Sequence, residues 1–224
     1  DSAHTFLRYW QDVGLVERIG QGDVETLIFI HKTFGEFAAG RHLAAMPLAA
    51  RMSALSAIGA DDAWDEVLSF AALIGIADDV CTHLLTVTEI DATDVARIAH
   101  CLEICGEAQA GPSGIYRKRI FDRAFEIVCS PRQEWVIEVG MALVPAARRY
   151  PDEVAPRCQL ALANDQSWTR LVGWAALAAS GPPFLDLDRL QSVIISITKQ
   201  LEARIRSSHW GGMPIVTNTE RDIA

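Results

Sequence analysis

The stretch that decides the fold of this chain is Phe29-Ile30-His31-Lys32-Thr33-Phe34-Gly35-Glu36-Phe37-Ala38-Ala39-Gly40-Arg41-His42-Leu43. An apolar strand runs into His31, and the spacing of Phe34 and Phe37 predicts a helix that starts directly after it. With Thr33 as the N-cap, Glu36 follows at the third position, which is the spacing of a capping box. The phenylalanines share one face and aliphatic residues share another, so we expect this helix to be covered on two sides.

The residues before this stretch predict a helix followed by a hairpin. Residues 4–13 have the pattern of an amphipathic helix, and Gly14 is placed to end it. Residues 15–19 and 24–30 read as two short strands joined by a turn. Helix, hairpin and helix is the element order of the closing half of a winged helix.

The chain after residue 46 is predicted to be all-α. Helix starts are indicated at Asp61 or Asp62, Asp78 with Asp79, Asp91 or Thr93, Ser130 and Asp165, and a long amphipathic helix at 187–205. These starts divide the region into units of roughly 20–40 residues, the scale of helical repeats. A HEAT-like stack and a compact irregular bundle both fit. The predicted domains are therefore a partial winged helix over 1–46, a helical domain over 47–206 and an irregular tail over 207–224.

The central stretch resembles the end of the winged-helix region in NACHT-type signalling NTPases of the STAND class. The usual form of that motif is Phe-x-His-x-Ser/Thr-Phe-Gln-Glu-Tyr/Phe-x-Ala, and here Gly35 replaces the common Gln. The resemblance covers residues 29–43, and the supporting winged-helix pattern extends back to residue 4. The remaining residues fit the family only in being helical.

The resemblance implies a function for the chain. It would be the regulatory and sensor region of a cytosolic NTPase of innate immune or antiphage type, following an upstream NACHT domain that binds ATP or ADP with Mg²⁺. The helical region would recognise a protein ligand and hold the resting state until binding permits oligomerisation. In such proteins the histidine that corresponds to His31 lies near the β-phosphate of ADP. The alternative for His31 is a strand-end histidine satisfied by a backbone partner.

The chain itself lacks the residues of a nucleotide-hydrolysing site. Gly35 and Gly40 have the spacing of two P-loop glycines, but Arg41 and His42 replace the Lys and Ser/Thr that contact phosphate and Mg²⁺. No Gly-Lys-Ser/Thr occurs anywhere, and nothing resembles a nucleophile elbow. We therefore predict that this chain is not an enzyme and holds no cofactor of its own.

Composition limits the partners. The formal net charge of −9 disfavours a general nucleic-acid surface. Five cysteines are an odd number and lie in apolar contexts, which is typical of reduced core thiols. A zinc site could be formed by Cys81 and His83 together with His100, Cys101 and Cys105, but their apolar setting favours core thiols and no metal.

No apolar run is expected to span a membrane. The chain begins Asp1-Ser2-Ala3 and reads as an excised piece of a longer protein.

Two sets of residues are candidates for partner contacts. Arg117, Lys118, Arg119 and Arg123 form a basic turn that is either a solvated helix face or a contact for an acidic partner. Trp210 follows the last predicted helix and either folds back as a cap or meets a partner. Two other functions remain open: a winged-helix DNA-binding regulator and a helical protein–protein adaptor.

Overall fold

A computed structural model describes residues 2–21, 24–58, 61–85 and 89–181, together with 191–192, 194–195 and 198–199. The chain divides into two units, Asp1–Leu185 and Asp186–Ala224. The described residues of the second unit are helical. The rest of the helix predicted at 187–205, the predicted tail and Trp210 lie outside the described residues.

The first unit begins with a helix and a hairpin. Its first elements are α1 (Ser2–Asp12), β1 (Val16–Gln21), β2 (Val24–Phe29) and α2 (Lys32–Ala45). Gly14 ends α1 with a φ of 72°, a conformation that glycine adopts without strain. The two strands are antiparallel, with Val16 opposite Phe29 and Gln21 opposite Val24. The predicted order of helix, hairpin and helix is confirmed, and β1 extends into the residues expected to form the turn.

The remaining elements of the first unit are helical, as predicted. They are α3 (Leu48–Ile58), a 3₁₀ turn (Asp62–Trp64), α4 (Asp65–Ala71), a π turn (Ala72–Ile76), α5 (Ala77–Leu84), α6 (Ala92–Glu107), α7 (Gly114–Val128), α8 (Gln133–Arg149), α9 (Pro151–Leu162) and α10 (Ser167–Ser180). The all-α class with one small hairpin is therefore confirmed. Asp91 caps α6 as predicted, because its Oδ1 accepts a 2.8 Å hydrogen bond from the Asp94 amide.

Several predicted caps are wrong. Asp78 and Asp79 lie inside α5, whose N-cap is Ile76, and Gln166 rather than Asp165 is the N-cap of α10. His31, not Thr33, is the N-cap of α2, and its side chain accepts a hydrogen bond from the Thr33 amide. Ser130 does not start α8, which begins at Gln133. The Ser130 amide instead donates to the carbonyl of Ile127 at the end of α7. Ser130 therefore lies at the C-terminal end of α7, although its sequence pattern predicts an N-cap for α8.

The helix α2 is buried mainly on one face. Gly40 and Leu43 are buried, whereas Phe34 and Phe37 are 43% and 42% exposed. A Cβ added at Gly40 would lie 2.9 Å from Phe70 Cβ and 3.0 Å from the Ala71 nitrogen of α4. This glycine lets α2 approach the α4 backbone closely. The expectation of cover on two sides is only partly met, since Phe37 touches Phe70 edge-on at 5.5 Å.

This contact crosses the predicted domain boundary after residue 46. The helix α2 lies before the boundary and α4 lies after it, and the two pack together within one unit. The division into a partial winged helix over 1–46 and a helical domain over 47–206 stays a prediction. It does not correspond to a break in packing.

From α6 onward the helices form two sets, and each set takes every second helix along the chain. α6 packs against α8, and α8 packs against α10, while α7 packs against α9. Each consecutive pair, from α6 with α7 to α9 with α10, is also in contact. Large side chains fill the space between the sets, and those with essentially no exposure include Ile98, Leu102, Ile120, Phe121, Leu143 and Leu177.

Ion pairs join the helices at the edge of this core. Arg123 of α7 bonds Asp94 of α6 at 2.9 Å, and the Asp94 side chain is only 4% exposed. Burial raises the pKa of the Asp94 carboxyl, and the guanidinium of Arg123 opposes that shift. The Asp94 charge therefore depends on its partner.

One helical stretch, Asp65–Leu84, is long and apolar enough to cross a membrane by length and composition alone. The sequence-based expectation that no apolar run spans a membrane stays a prediction, because length and composition alone do not show a span. In addition, 56% of its most apolar window is buried inside the protein, as in the core helix of a soluble protein. It is weak evidence of a membrane span.

Replacing Gly40 with Ala tests the close approach of α2 and α4. The added methyl meets backbone atoms that cannot move aside, so we expect a loss of about 1–3 kcal/mol in the free energy of unfolding, measured by urea denaturation. The control is Gly35→Ala on the same helix, whose Cβ meets only the half-exposed Phe29 ring. Since Ala is favoured over Gly in helices, the control is expected to be neutral or stabilising. Equal stabilisation by both changes would contradict the packing described.

Replacing Arg123 with Met tests the buried ion pair. The Asp94 carboxylate would remain buried without a counter-charge, so the expected loss is about 3 kcal/mol in the free energy of unfolding. Lys118→Met breaks an exposed pair with Asp122 and should cost less than about 1 kcal/mol. Similar losses for both variants in denaturant titrations would refute the role of Asp94 burial.

Candidate functional site

The structure places His31 at the junction between β2 and α2, where it is exposed to solvent. Its Nδ1 accepts a 3.3 Å hydrogen bond from the Thr33 amide, and its ring meets Phe34 edge-on with centroids 6.2 Å apart. An accepting Nδ1 places the proton of a neutral imidazole on Nε2. His31 therefore has a backbone partner, which is one of the two predictions for this residue. Its ring also keeps an N–H group that can donate to a ligand.

The residues next to His31 are held by local pairs. Lys32 forms an ion pair of 2.8 Å with Glu36, whose side chain is largely buried. A hydrogen bond to Glu36 is the main cause that raises the pKa of Lys32. The Glu36 carboxylate therefore pairs with the Lys32 ammonium group instead of forming the predicted capping box. Gly35 and Gly40 both lie inside α2, so their P-loop spacing has no loop to cradle a phosphate.

An apolar recess of about 320 Å³ lies beside this junction. It is lined by residues from α1, the hairpin and α2, namely Trp10, Val16, Phe29, Phe34, Phe37, Ala38 and Arg41. The recess accounts for the partial exposure of the two phenylalanines.

The predicted basic contacts are engaged within the chain. Arg117 bonds Glu153 at 2.8 Å and lies over the Tyr150 ring, and Lys118 bonds Asp122 at 2.7 Å. Arg119 donates to the carbonyl of Leu85 at 3.4 Å. Arg123 is held by Asp94 and Glu126. Their role as contacts for an acidic partner stays a prediction, and three of the four cations already have carboxylate partners.

The cysteine and histidine residues weighed as zinc ligands lie mainly in the core. Cys81, Cys101 and Cys105 are buried free thiols. A hydrogen bond of the Cys101 thiol to Cys81, together with burial, raises the pKa of Cys101, and burial raises that of Cys105. Within the described ranges no group of three or more His, Cys, Asp or Glu residues could hold a metal ion.

A groove of about 530 Å³, called the acidic groove below, lies between α4, α6 and α8, and the sequence analysis did not predict it. Its polar lining residues are Asp65, Glu66, Ser69, His100, Glu103, Glu107 and Glu138, and its apolar ones are Ala96, Ala99, Met141, Ala142 and Pro145. Burial raises the pKa of Glu103, and the neighbouring carboxylates of Glu107 and Asp65 raise it further against the opposing effect of His100.

His100 is the buried polar residue of the acidic groove. It is 6% exposed, and its Nε2 lies 2.8 Å from the Ser69 hydroxyl. Its Nδ1 has no hydrogen-bond partner and lies 3.6 Å from Asp65 Oδ1. A buried ring nitrogen without a partner is unusual, because such atoms are normally satisfied.

The side of this groove that α6 forms has a recognisable pattern in the sequence. Ala96, Ala99, His100, Glu103 and Glu107 recur at steps of three and four, so they form one stripe on α6. Sequence reasoning considered His100 only beside the cysteines, as a zinc ligand. Which helices lie next to that stripe follows from tertiary packing, and no local pattern shows it.

Comparisons with protein-family models, with curated proteins and with solved structures find no match to this chain.

Cysteine reactivity tests the assignment of the thiols to the core. Of the five cysteines only Cys129 is partly exposed, whereas Cys158 is buried and its pKa is raised to about 12 by burial. We expect a thiol reagent such as Ellman's reagent to label Cys129 first in the native protein, and the others only on unfolding. Cys129→Ser should then remove the fast phase. A fast phase that persists in that variant would contradict the buried positions of the other four thiols.

Proposed function

We propose that this chain is the non-catalytic regulatory and sensor region of a NACHT-like signalling NTPase of the innate immune or antiphage type. The parent protein would be cytosolic, would bind ATP or ADP with Mg²⁺ in an upstream NACHT domain, and would oligomerise when a protein ligand is sensed. The hairpin with its flanking helices would be the end of a winged helix. The helices after it would form a HEAT-like array.

The observation that carries this proposal is the position of His31. It follows a strand, caps the next helix and is exposed, and its Nδ1 is occupied by the Thr33 amide. The remaining Nε2–H is a suitable donor for a phosphate oxygen, and the positive end of the α2 dipole lies beside it. A nucleotide held by an upstream domain would meet this donor at the junction.

The helical region supports the sensor part of the proposal. Alternating contacts, in which α6, α8 and α10 are neighbours and α7 and α9 are neighbours, are typical of stacked helical repeats. Such stacks present an extended surface for a protein ligand. The groove between α4, α6 and α8 lies on this surface.

A helical protein–protein adaptor is a second candidate, and the same groove favours it. An adaptor would bind its partner with no dependence on nucleotide. A DNA-binding regulator is less well supported, because Arg117, Lys118 and Arg123 are engaged with carboxylates.

Substitution of His31 in the full-length parent tests the nucleotide switch. His31→Gly should leave α2 stable, because glycine is tolerated at an N-cap, and it removes the side-chain donor altogether. We expect this variant to lose most of the ADP that copurifies with the protein, measured by chromatography after denaturation. The loss would shift the switch towards its active state.

His42→Ala is the matched control, because His42 is also exposed and lies at the other end of α2. It should retain ADP at the level of the unaltered protein. Equal ADP in the His31→Gly and His42→Ala proteins would refute the role of His31. A parent without any bound nucleotide, but with a stable protein partner, would favour the adaptor.

A further inference from the structure

We propose that the acidic groove binds a basic peptide segment of a protein partner, with an arginine or lysine side chain entering between its carboxylates. This inference deepens the sensor part of the proposed function by naming the chemistry of the ligand. It does not depend on the nucleotide switch, because it concerns the isolated chain.

The first step concerns charge. Several carboxylates elsewhere in the described residues are paired with cations, as Asp94 is with Arg123 and Glu153 is with Arg117. None of the ion pairs between described residues uses Glu66, Glu103, Glu107 or Glu138 of the groove. Burial raises the pKa of Glu103, the carboxylates of Glu107 and Asp65 raise it further, and the neighbouring His100 opposes that repulsion. A cationic ligand would relieve the repulsion.

The second step concerns hydrogen bonding. Ionised carboxylates only accept hydrogen bonds, and the Ser69 hydroxyl lies within 2.8 Å of His100 Nε2. The Nδ1 of His100 has no hydrogen-bond partner and lies 3.6 Å from Asp65 Oδ1. The side chains of five acidic residues line the groove, and a group that only donates hydrogen bonds matches them. Guanidinium and ammonium groups donate several hydrogen bonds and accept none.

The third step concerns size and lining. A volume of about 530 Å³ exceeds what one ion or one water molecule needs. Met141, Ala142 and Pro145 supply an apolar wall on α8, and Met141 is 74% exposed. The aliphatic stem of Arg or Lys can lie along such a wall while its charged end reaches the carboxylates. The phosphates of a nucleic acid would be repelled here.

Titration of the full 224-residue chain against a labelled peptide tests the proposal. The probe is a short peptide of alternating Arg and Ala carrying fluorescein, followed by fluorescence anisotropy at physiological salt. The groove variant Glu103→Gln/Glu107→Gln/Glu138→Gln should raise the dissociation constant at least about tenfold. An alternating Glu and Ala peptide should not bind.

The control for net charge is Asp12→Asn/Glu17→Gln/Asp165→Asn, which neutralises exposed carboxylates outside the groove. It should change the dissociation constant less than about twofold, since distant exposed charges are largely screened. Equal weakening by both triple variants would show that only overall charge attracts the peptide, and would overturn the proposal.

A second pair of variants places a new cation at a matched site. Met141→Lys puts a positive charge in the groove, and Leu160→Lys puts one at a similarly exposed position of α9, since the two side chains are 74% and 68% exposed. Both should fold. Only Met141→Lys should weaken peptide binding. Unchanged binding in Met141→Lys, or groove-dependent binding of free spermine without binding of the peptide, would overturn the assignment to a peptide.

Discussion

The close approach of α2 to α4 at Gly40 is the contact on which the arrangement of the first unit depends. It joins the hairpin region to the helical region, because a side chain at this position would meet the backbone of Ala71 and Val67. Similar close contacts recur further along: a Cβ at Gly106 would meet Pro145 at 2.8 Å, and one at Gly140 would meet Val172 at 2.5 Å. Glycine at each crossing keeps α6, α8 and α10 close enough to form one set of neighbours.

This packing also separates the charges of the helical region. The cations of α7 and α9, such as Arg117, Arg123 and Arg157, bond carboxylates of α6, α7 and α9. The carboxylates on the other side of α6 have no such partners, and α4 and α8 add further acids beside them. Five acidic residues thereby line one groove with an apolar wall. The junction at His31 lies apart in sequence and presents a donor, so the two candidate sites have opposite chemistry.

Much of the fold could be predicted from local patterns, and the failures have physical reasons. The hairpin, the Gly14 stop and the Asp91 cap are set by residues within a few positions of each other. Ser130 failed as a cap because α8 begins only at Gln133, with Arg132 as its N-cap, and the Ser130 hydroxyl has no hydrogen-bond partner. The acidic groove was missed because it needs three helices brought together by packing. A motif indicated His31, whose contact with a nucleotide stays a prediction, and the structure adds the hydrogen bond from the Thr33 amide to its Nδ1.

The measurement that tests the central claim most directly is the reading of the coding sequence upstream of Asp1. The account predicts a Walker A motif, followed by an acidic strand that binds Mg²⁺, before the winged-helix residues. Nucleotide and protein ligand would then act on one polypeptide, with His31 between them. A start codon that leaves room only to complete a winged helix would contradict the account. The adaptor function would then be preferred, and the acidic groove would remain its candidate binding site.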